Sequence, residues 1–302
     1  MQPTDAAAAV PGAIRRTSLA ISGKFVELWR ARELLNQLVR KELKVRYKNS
    51  TLGFLWSMLT PVLMTVVFSV VFTQIVRIPL ADFPAFFISG YLLWQFLQNS
   101  CQGAIHSIVG NGDLVKKVYF PREVLPLSHV FAQLIHLLLA LLVLSPYLVY
   151  TRGFHVLLHL PTTLVAIGLL TVFASGLAMW FAGVNVVFRD LQELFVVIFQ
   201  VWFYATPVIY PLALVRSQMG DRFAWVATVI EWNPTTWFVE LFRLGLYGPV
   251  SATGDVVNPL IDGTPTWPDV ASTLVAAGWA ALMFLVGYVV FLRRARTFAK
   301  EV

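Results

Sequence analysis

The sequence predicts an all-α polytopic membrane protein: six transmembrane helices, an N-terminal amphipathic interface helix, and short re-entrant helices between helices five and six. Three observations carry this expectation. Hydrophobic residues fill 58% of the positions and charged ones only 13%, against about 25% charged in an ordinary globular domain. Six intervals lack Asp, Glu, Lys and Arg, namely 49–76, 83–112, 124–151, 153–188, 194–215 and 270–292. Each is long enough to hold the roughly 20 residues a helix needs to cross hydrocarbon. An even number of spans puts both termini on one face, and 18 of the 23 Lys and Arg fall on that face, so the positive-inside rule makes both termini cytoplasmic.

Taken in order, residues 1–23 read as a disordered cytosolic tail, since Arg15 and Arg16 sit in an Ala-rich lead without the compact apolar core of a signal peptide. Residues 24–50 read as an amphipathic interface helix. Leu28, Leu35, Leu38 and Val45 fall near one face, and Arg30, Arg32, Arg40, Lys41 and Lys44 occupy the rest. It serves either as an anchor on the inner leaflet or as a lever that docks a soluble partner. The cationic run ends at Arg46, Tyr47 and Lys48, and no charge follows until Arg77.

The second span carries Phe87, Tyr91 and Trp94 at i, i+4 and i+7, with Gln95, Gln98 and Asn99 adjoining. The connection after it holds Gly110, Gly112, Pro121 and Pro126 around mixed charges. A short helix capped by Asn111 or Asp113 would present Leu114, Val118 and Tyr119 to a groove on a cytosolic protein, with Phe120 and Arg122 following. A loop kept basic for topology alone is the alternative. His129 and His136 lie seven residues apart on one face of the third span, which suits packing or interhelical hydrogen bonding. Arg189 and Asp190 close the fourth span, as part of a mouth or as a plain helix-end ion pair. The fifth span repeats the aromatic pattern in Phe195, Phe199, Trp202 and Phe203.

Segment 211–250 holds two apolar pieces too short to cross a bilayer, 223–232 and 235–246. Asn233 before Pro234 is a helix start, and Pro207, Pro211 and Pro234 break the backbone around it. A re-entrant hairpin fits, and so does a loop in the headgroups. Glu231, Glu240 and Arg243 there form either an outer-gate network or solvated surface charges. The sixth span closes a membrane domain of 51–293, and 294–302 is a cytosolic tail.

Composition also excludes functions. Cys101 is the single cysteine, so no disulfide or thiolate metal site can form within the chain. The excess of 7 positive charges sits beside apolar spans, where topology and lipid headgroups account for it better than nucleic acid does. The spans hold no Asp, Glu, Lys or Arg, which argues against an ion-coupled carrier. Asp113, Glu123, Asp190 and Glu193 form no D-x-x-D cluster, which argues against an enzyme holding a metal and a diphosphate. The aromatic stripes of the second and fifth spans suit either the wall of a channel or ordinary helix packing.

Three motifs, at 46–56, at 120–126 and at 185–190, resemble the transmembrane permeases of type-2 ABC polysaccharide exporters, which move O-antigen, teichoic acid, galactan and related glycans. The resemblance covers about 34–247. It implies a half-transporter in the bacterial inner membrane: a homodimer of this chain over two ABC ATPase subunits, passing a lipid-linked polysaccharide. ATP and Mg would then belong to the partner subunit and no cofactor to this chain, which has no G-x-x-x-x-G-K-[ST] loop. By the same resemblance, Asn111, Asp113, Leu114, Val118, Tyr119, Phe120 and Arg122 contact the ATPase. Arg46, Tyr47, Lys48, Arg189 and Asp190 stand at the cytoplasmic mouth, and the two aromatic stripes line the channel with Gln98.

Overall fold

The structure, a computed structural model, describes residues 27, 29–48, 55–78, 80, 82–212, 215, 224–248, 268–295 and 297–301. The expected tail 1–23, the 49–54 part of the first motif and much of 211–269 lie outside the described residues. Among those described, every regular element is helical.

The first helix, α1 (Arg32–Tyr47), carries Glu33 in its first turn and Lys44 and Arg46 in its last, each sign favoured by the helix dipole at that end. Leu38 and Val39 are buried, while Arg32 stacks on Trp29 at 5.4 Å. Next, α2 (Leu55–Ser69) runs with Pro61 inside it into a π-helical turn, Val70–Ile75. Much of this helix is exposed apolar surface, including Val62, Leu63, Val66 and Val67, while Met58 and Phe68 pack on the core. Arg77 and Asp82 adopt positive φ values of 58° and 51° where the chain turns into α3.

The hub is α3 (Phe83–Ile105), which buries 16 of its 23 residues. After a 3₁₀ turn and α4 (Gly112–Lys117), α5 (Val124–Arg152) runs 29 residues. At about 1.5 Å per residue it outreaches the ~30 Å hydrocarbon core, and it ends where Gly153 takes φ 66° and donates to the Val149 carbonyl at 2.8 Å. A four-residue helix, α6 (His155–Leu158), leads into α7 (Leu160–Asn185). The last long helix is α11 (Val270–Ala295).

The closest pairing is α7 with α11. A Cβ on Gly287 would stand 1.9 Å from the Gly176 carbonyl oxygen, and one on Gly176 2.4 Å from that of Met283. Ala276 and Ala280 extend the seam. Where neighbouring lipid is as apolar as the side chains, close backbone approach of this kind drives helix association.

Among the described residues, four helices are long and apolar enough to cross a membrane: Met58–Ile75, Val124–Thr151, Leu160–Asn185 and Val270–Ala295. Two of the six expected spans differ. In α3, Gln95, Gln98, Asn99 and Gln102 dilute the hydropathy although its length suffices. The fifth, α8 (Leu191–Ala205), has 15 residues, short of the charge-free interval that announced it. Its stop is chemical: Thr206 is extended, with ψ 137°, as a residue preceding proline prefers, and Pro207 follows. Beyond it α9 (Ala224–Trp232) and α10 (Pro234–Leu246) meet at Asn233.

Candidate functional site

The aromatic stripes of α3 and α8 face each other. Trp94 lies 5.7 Å from Phe199, 5.9 Å from Trp202 and 5.6 Å from Phe203 between ring centroids, and Tyr91 lies 6.4 Å from Phe203. The seam continues through Phe87 to Phe68 of α2 at 4.8 Å and through Phe195 to Phe181 of α7 at 5.3 Å. Offset and edge-on rings at these spacings each add about 0.5–1.5 kcal/mol beyond area burial. Within one chain the stripes are therefore packing: Phe87, Trp94, Phe195, Phe199 and Phe203 are buried. Tyr91, Trp202 and Gln98 are half-buried at the seam's edge. The Trp94 indole donates to Gln98 Oε1 at 3.0 Å, so the polar member of the stripe satisfies its buried neighbour.

At the end of the bundle where α8 stops, the seam meets a polar hub. Trp202 Nε1 donates to Asn233 Oδ1 at 2.9 Å, and the same oxygen accepts from Thr235 N at 3.1 Å as the helix cap anticipated for α10. Asn233 Nδ2 donates back to the Ala205 carbonyl at 3.1 Å. One side chain thus caps α10 and holds the end of α8.

Arg243 completes the hub and is not a solvated charge, being 1% exposed. Its Nη1 meets Glu240 Oε1 at 2.9 Å, its Nη2 donates to the carbonyls of Pro207 at 2.8 Å and Val208 at 3.1 Å, and the guanidinium lies 3.8 Å from the Phe86 ring centre. Burial lowers its basicity from the usual guanidinium range, and Glu240 partly offsets that. Gly90 of α3 makes the room, since a Cβ there would come within 2.8 Å of Nη2. Glu231 and Glu240 line an adjacent cavity of about 290 Å³ with Trp237 and Asp269. The roles of Gly90, Pro207 and Val208 escaped sequence reasoning, although the Thr206-Pro207 step marked the place.

At the other end of the bundle α4 forms where a short helix was expected, but the cap is different. Asn111 makes no side-chain cap; its Nδ2 donates to the Ser107 carbonyl at 2.8 Å and its Oδ1 accepts from Lys41 Nζ of α1 at 3.4 Å. Asp113 instead pairs with Lys117 at 3.4 Å on the exposed face. Val115 is buried, and Leu114 and Phe120 pack on a second core built from Leu38, Ile108, Val124 and Phe298. Val118 and Tyr119 project outward, Tyr119 at 96% exposure. Arg122 turns inward, donating to the Ala295 carbonyl and lying over Phe298 at 5.9 Å. Of the seven loop residues singled out, Asp113, Val118 and Tyr119 are exposed.

Arg46 Nη1 donates to Gln133 Oε1 of α5 at 3.0 Å, Tyr47 closes α1, and Lys48 is exposed. Arg189 and Asp190 stand exposed in the turn between α7 and α8. Among the described residues no hydrogen bond or ion pair joins these two groups, and Asp190 does not cap α8 with its side chain.

Residues 33–247 match the family model for ABC-2 type transporters. The chain is 38% identical over 195 residues to the O-antigen export system permease protein RfbA of Myxococcus xanthus, covering 64% of this chain and 74% of that one. A Klebsiella pneumoniae O-antigen export system permease protein RfbA is 33% identical over 214 residues, 70% and 79% of the two chains. The capsule polysaccharide export inner-membrane protein BexB of Haemophilus influenzae is 24% identical over 258 residues, 82% and 88%.

Proposed function

The chain belongs to the ABC-2 type transporter family, and from that premise we propose that it is the membrane-spanning half of an ATP-driven exporter. It is a permease for polysaccharide export. The cargo is a polyprenyl-diphosphate-linked glycan of O-antigen, teichoic acid or galactan type, passed across the inner membrane. The chain makes and breaks no bonds itself. Two copies form the pore, and two ABC ATPase subunits beneath them bind ATP and Mg.

In this reading α2, α3, α5, α7, α8 and α11 are the six crossings, with α3 and α8 relying on protein neighbours rather than on their own hydropathy. Both termini are cytoplasmic, and α9 and α10 re-enter from the outer face. The domain limits follow: 24–50 at the interface, 51–293 in the membrane with an outer segment of 211–250, and cytosolic tails at 1–23 and 294–302. The ATPase reads the outward face of the α4 loop. The half-buried edge of the aromatic seam, Tyr91, Gln98 and Trp202, meets the sugar, while the buried rings hold the wall in place. Arg46, Tyr47, Lys48, Arg189 and Asp190 stand at the inner mouth, and the Asn233 and Arg243 hub steadies the outer gate.

The observation that carries this reading is the pairing of an apolar helical bundle, in a chain whose sequence holds no G-x-x-x-x-G-K-[ST] loop, with a loop after α4 whose Tyr119 is almost wholly bare. Energy then has to arrive through a docked partner. The test is reconstitution in liposomes with and without the ATPase: transport of lipid-linked glycan is expected only with the ATPase and ATP. Full activity of the chain alone would favour a carrier instead.

A further inference from the structure

An amphipathic cleft opens between α1, α3 and α5, away from the seam and the hub. Its wide part, about 410 Å³, is lined by Glu42, Arg46, Gln102, His106, His129 and Gln133. A narrower cavity of about 40 Å³ shares Arg46, Asn99, Gln133 and His136 with it and runs on past Gln95 to Met58, Leu92 and Leu137. The cleft is thus polar at the α1 end and mixed beyond it, where these aliphatic walls appear.

Its polar end favours an anion. Among the described residues the Arg46 guanidinium spends one hydrogen bond, on Gln133 Oε1, which leaves most of a five-donor fork uncommitted. Asn99, Gln102 and Gln133 add amide donors. Glu42 is the single carboxylate in the lining, and its Oε2 lies 3.5 Å from His129 Nδ1. Gly103 lets that imidazole lie against α3, since a Cβ there would come within 2.7 Å of Nδ1. Lys41, Lys44 and Lys48 on α1 raise the local positive potential, as basic segments beside membranes do for anionic lipid.

We propose that this cleft seats the phosphate headgroup of a membrane lipid, with phosphate oxygens at Arg46, Gln102 and Gln133 and the first carbons of the tail along Leu92 and Leu137. A planar guanidinium fork matches phosphate geometry, and the aliphatic walls of Met58, Leu92 and Leu137 beyond it favour an anion that carries a hydrocarbon tail over a free one. Two lipids carry this chemistry, a bilayer phospholipid and the polyprenyl diphosphate of the cargo. The second alone rests on the export reading.

Native mass spectrometry of the detergent-purified full-length chain with its ATPase subunits tests the cleft, with polyprenyl diphosphate, phosphatidylglycerol or inorganic diphosphate added separately. Retention of a lipid is expected, weakened about tenfold or more by Arg46→Ala and by Gln133→Leu, as for the loss of one charged hydrogen bond, and recovered only in part by Arg46→Lys, which keeps the charge and loses the fork. Loss confined to polyprenyl diphosphate identifies the cargo headgroup, and loss confined to phosphatidylglycerol a bilayer lipid; both support the cleft. Retention by the variants equal to the parent's, or inorganic diphosphate bound as tightly as the lipids, overturns it. Gln133→Leu, a change of similar size at the cleft wall, carries the test if Arg46→Ala does not assemble. Lipid binding that depends on Arg46 in a chain that exports no glycan would sink the export reading and leave the cleft standing.

Discussion

Arg243 shows what a single residue does at the end of the bundle where α8 stops. Its guanidinium satisfies two carbonyls that the Pro207 break leaves without helical partners, and an unsatisfied buried carbonyl costs about 1–3 kcal/mol. Arg243→Met, which keeps the length and loses the donors, should destabilise the purified permease by roughly 3 kcal/mol, read as a fall in thermal unfolding temperature. Gly90→Ala should move it the same way by crowding Nη2, whereas Glu240→Gln should do little because that carboxylate is 41% exposed. Unfolding temperatures indifferent to both Arg243→Met and Gly90→Ala would remove the hub from the account. The aromatic seam separates two roles in the same manner. Trp94→Ala empties a packed site and should cost stability, about 3–5 kcal/mol, while Tyr91→Leu at the half-buried edge should lower glycan export with less effect on unfolding. The reverse pattern would put Tyr91 in the packing and Trp94 in the channel. Spacing alone identifies the stripes but not this division, because i, i+4, i+7 repeats look the same whether they line a lumen or pack on a helix a hundred residues away.

At the scale of elements, a charge-free interval reports composition, and a helix ends where backbone chemistry ends it. The fifth interval runs to 215, yet α8 stops at Ala205 because proline follows Thr206. The start of α10 was legible for the complementary reason: Asn233 and Pro234 are local signals, and the cap they specify is formed. Around α4 the local and the distant part company. The helix itself was legible, but the inward turn of Arg122 and the packing of Phe120 depend on Ala295 and Phe298, partners far along the chain. That split yields a prediction. Tyr119→Ala should weaken co-purification of the ATPase and its stimulation while leaving unfolding temperature unchanged. Phe120→Ala, which removes a packed ring, should lower the unfolding temperature first. Equal loss of ATPase binding without destabilisation in both variants would mean that Phe120 also faces the partner.

Across the whole molecule the bundle has a dense centre and two bare flanks. Helices α3 and α7 bury each other at its centre and α11 packs on α7, while α2 and α8 each offer most of their surface outward. For α8 this is costly if lipid covers it. Its 15 residues span about 22 Å, short of a ~30 Å core, and the resulting mismatch is relieved when a short helix packs on protein. Only its Phe195, Phe199 and Phe203 side is buried. The rest presents Leu194, Val197, Ile198 and Val201, with Gln200 exposed near its end, and a polar side chain within a span turns toward protein or water rather than acyl chains. In the proposed homodimer, a second copy facing this surface would satisfy both demands and would make the pore that one chain, with its aromatic seam closed, does not enclose. The prediction is geometric. In a Cys101→Ser background, Leu194→Cys, Val197→Cys or Val201→Cys should cross-link two copies in native membranes with a short bifunctional thiol reagent, giving a dimer band on a denaturing gel. Leu282→Cys and Leu285→Cys, exposed on α11, should give none. Cross-linking at α11 with none at α8 would move the interface to the exposed face of α11 and leave that of α8 to lipid.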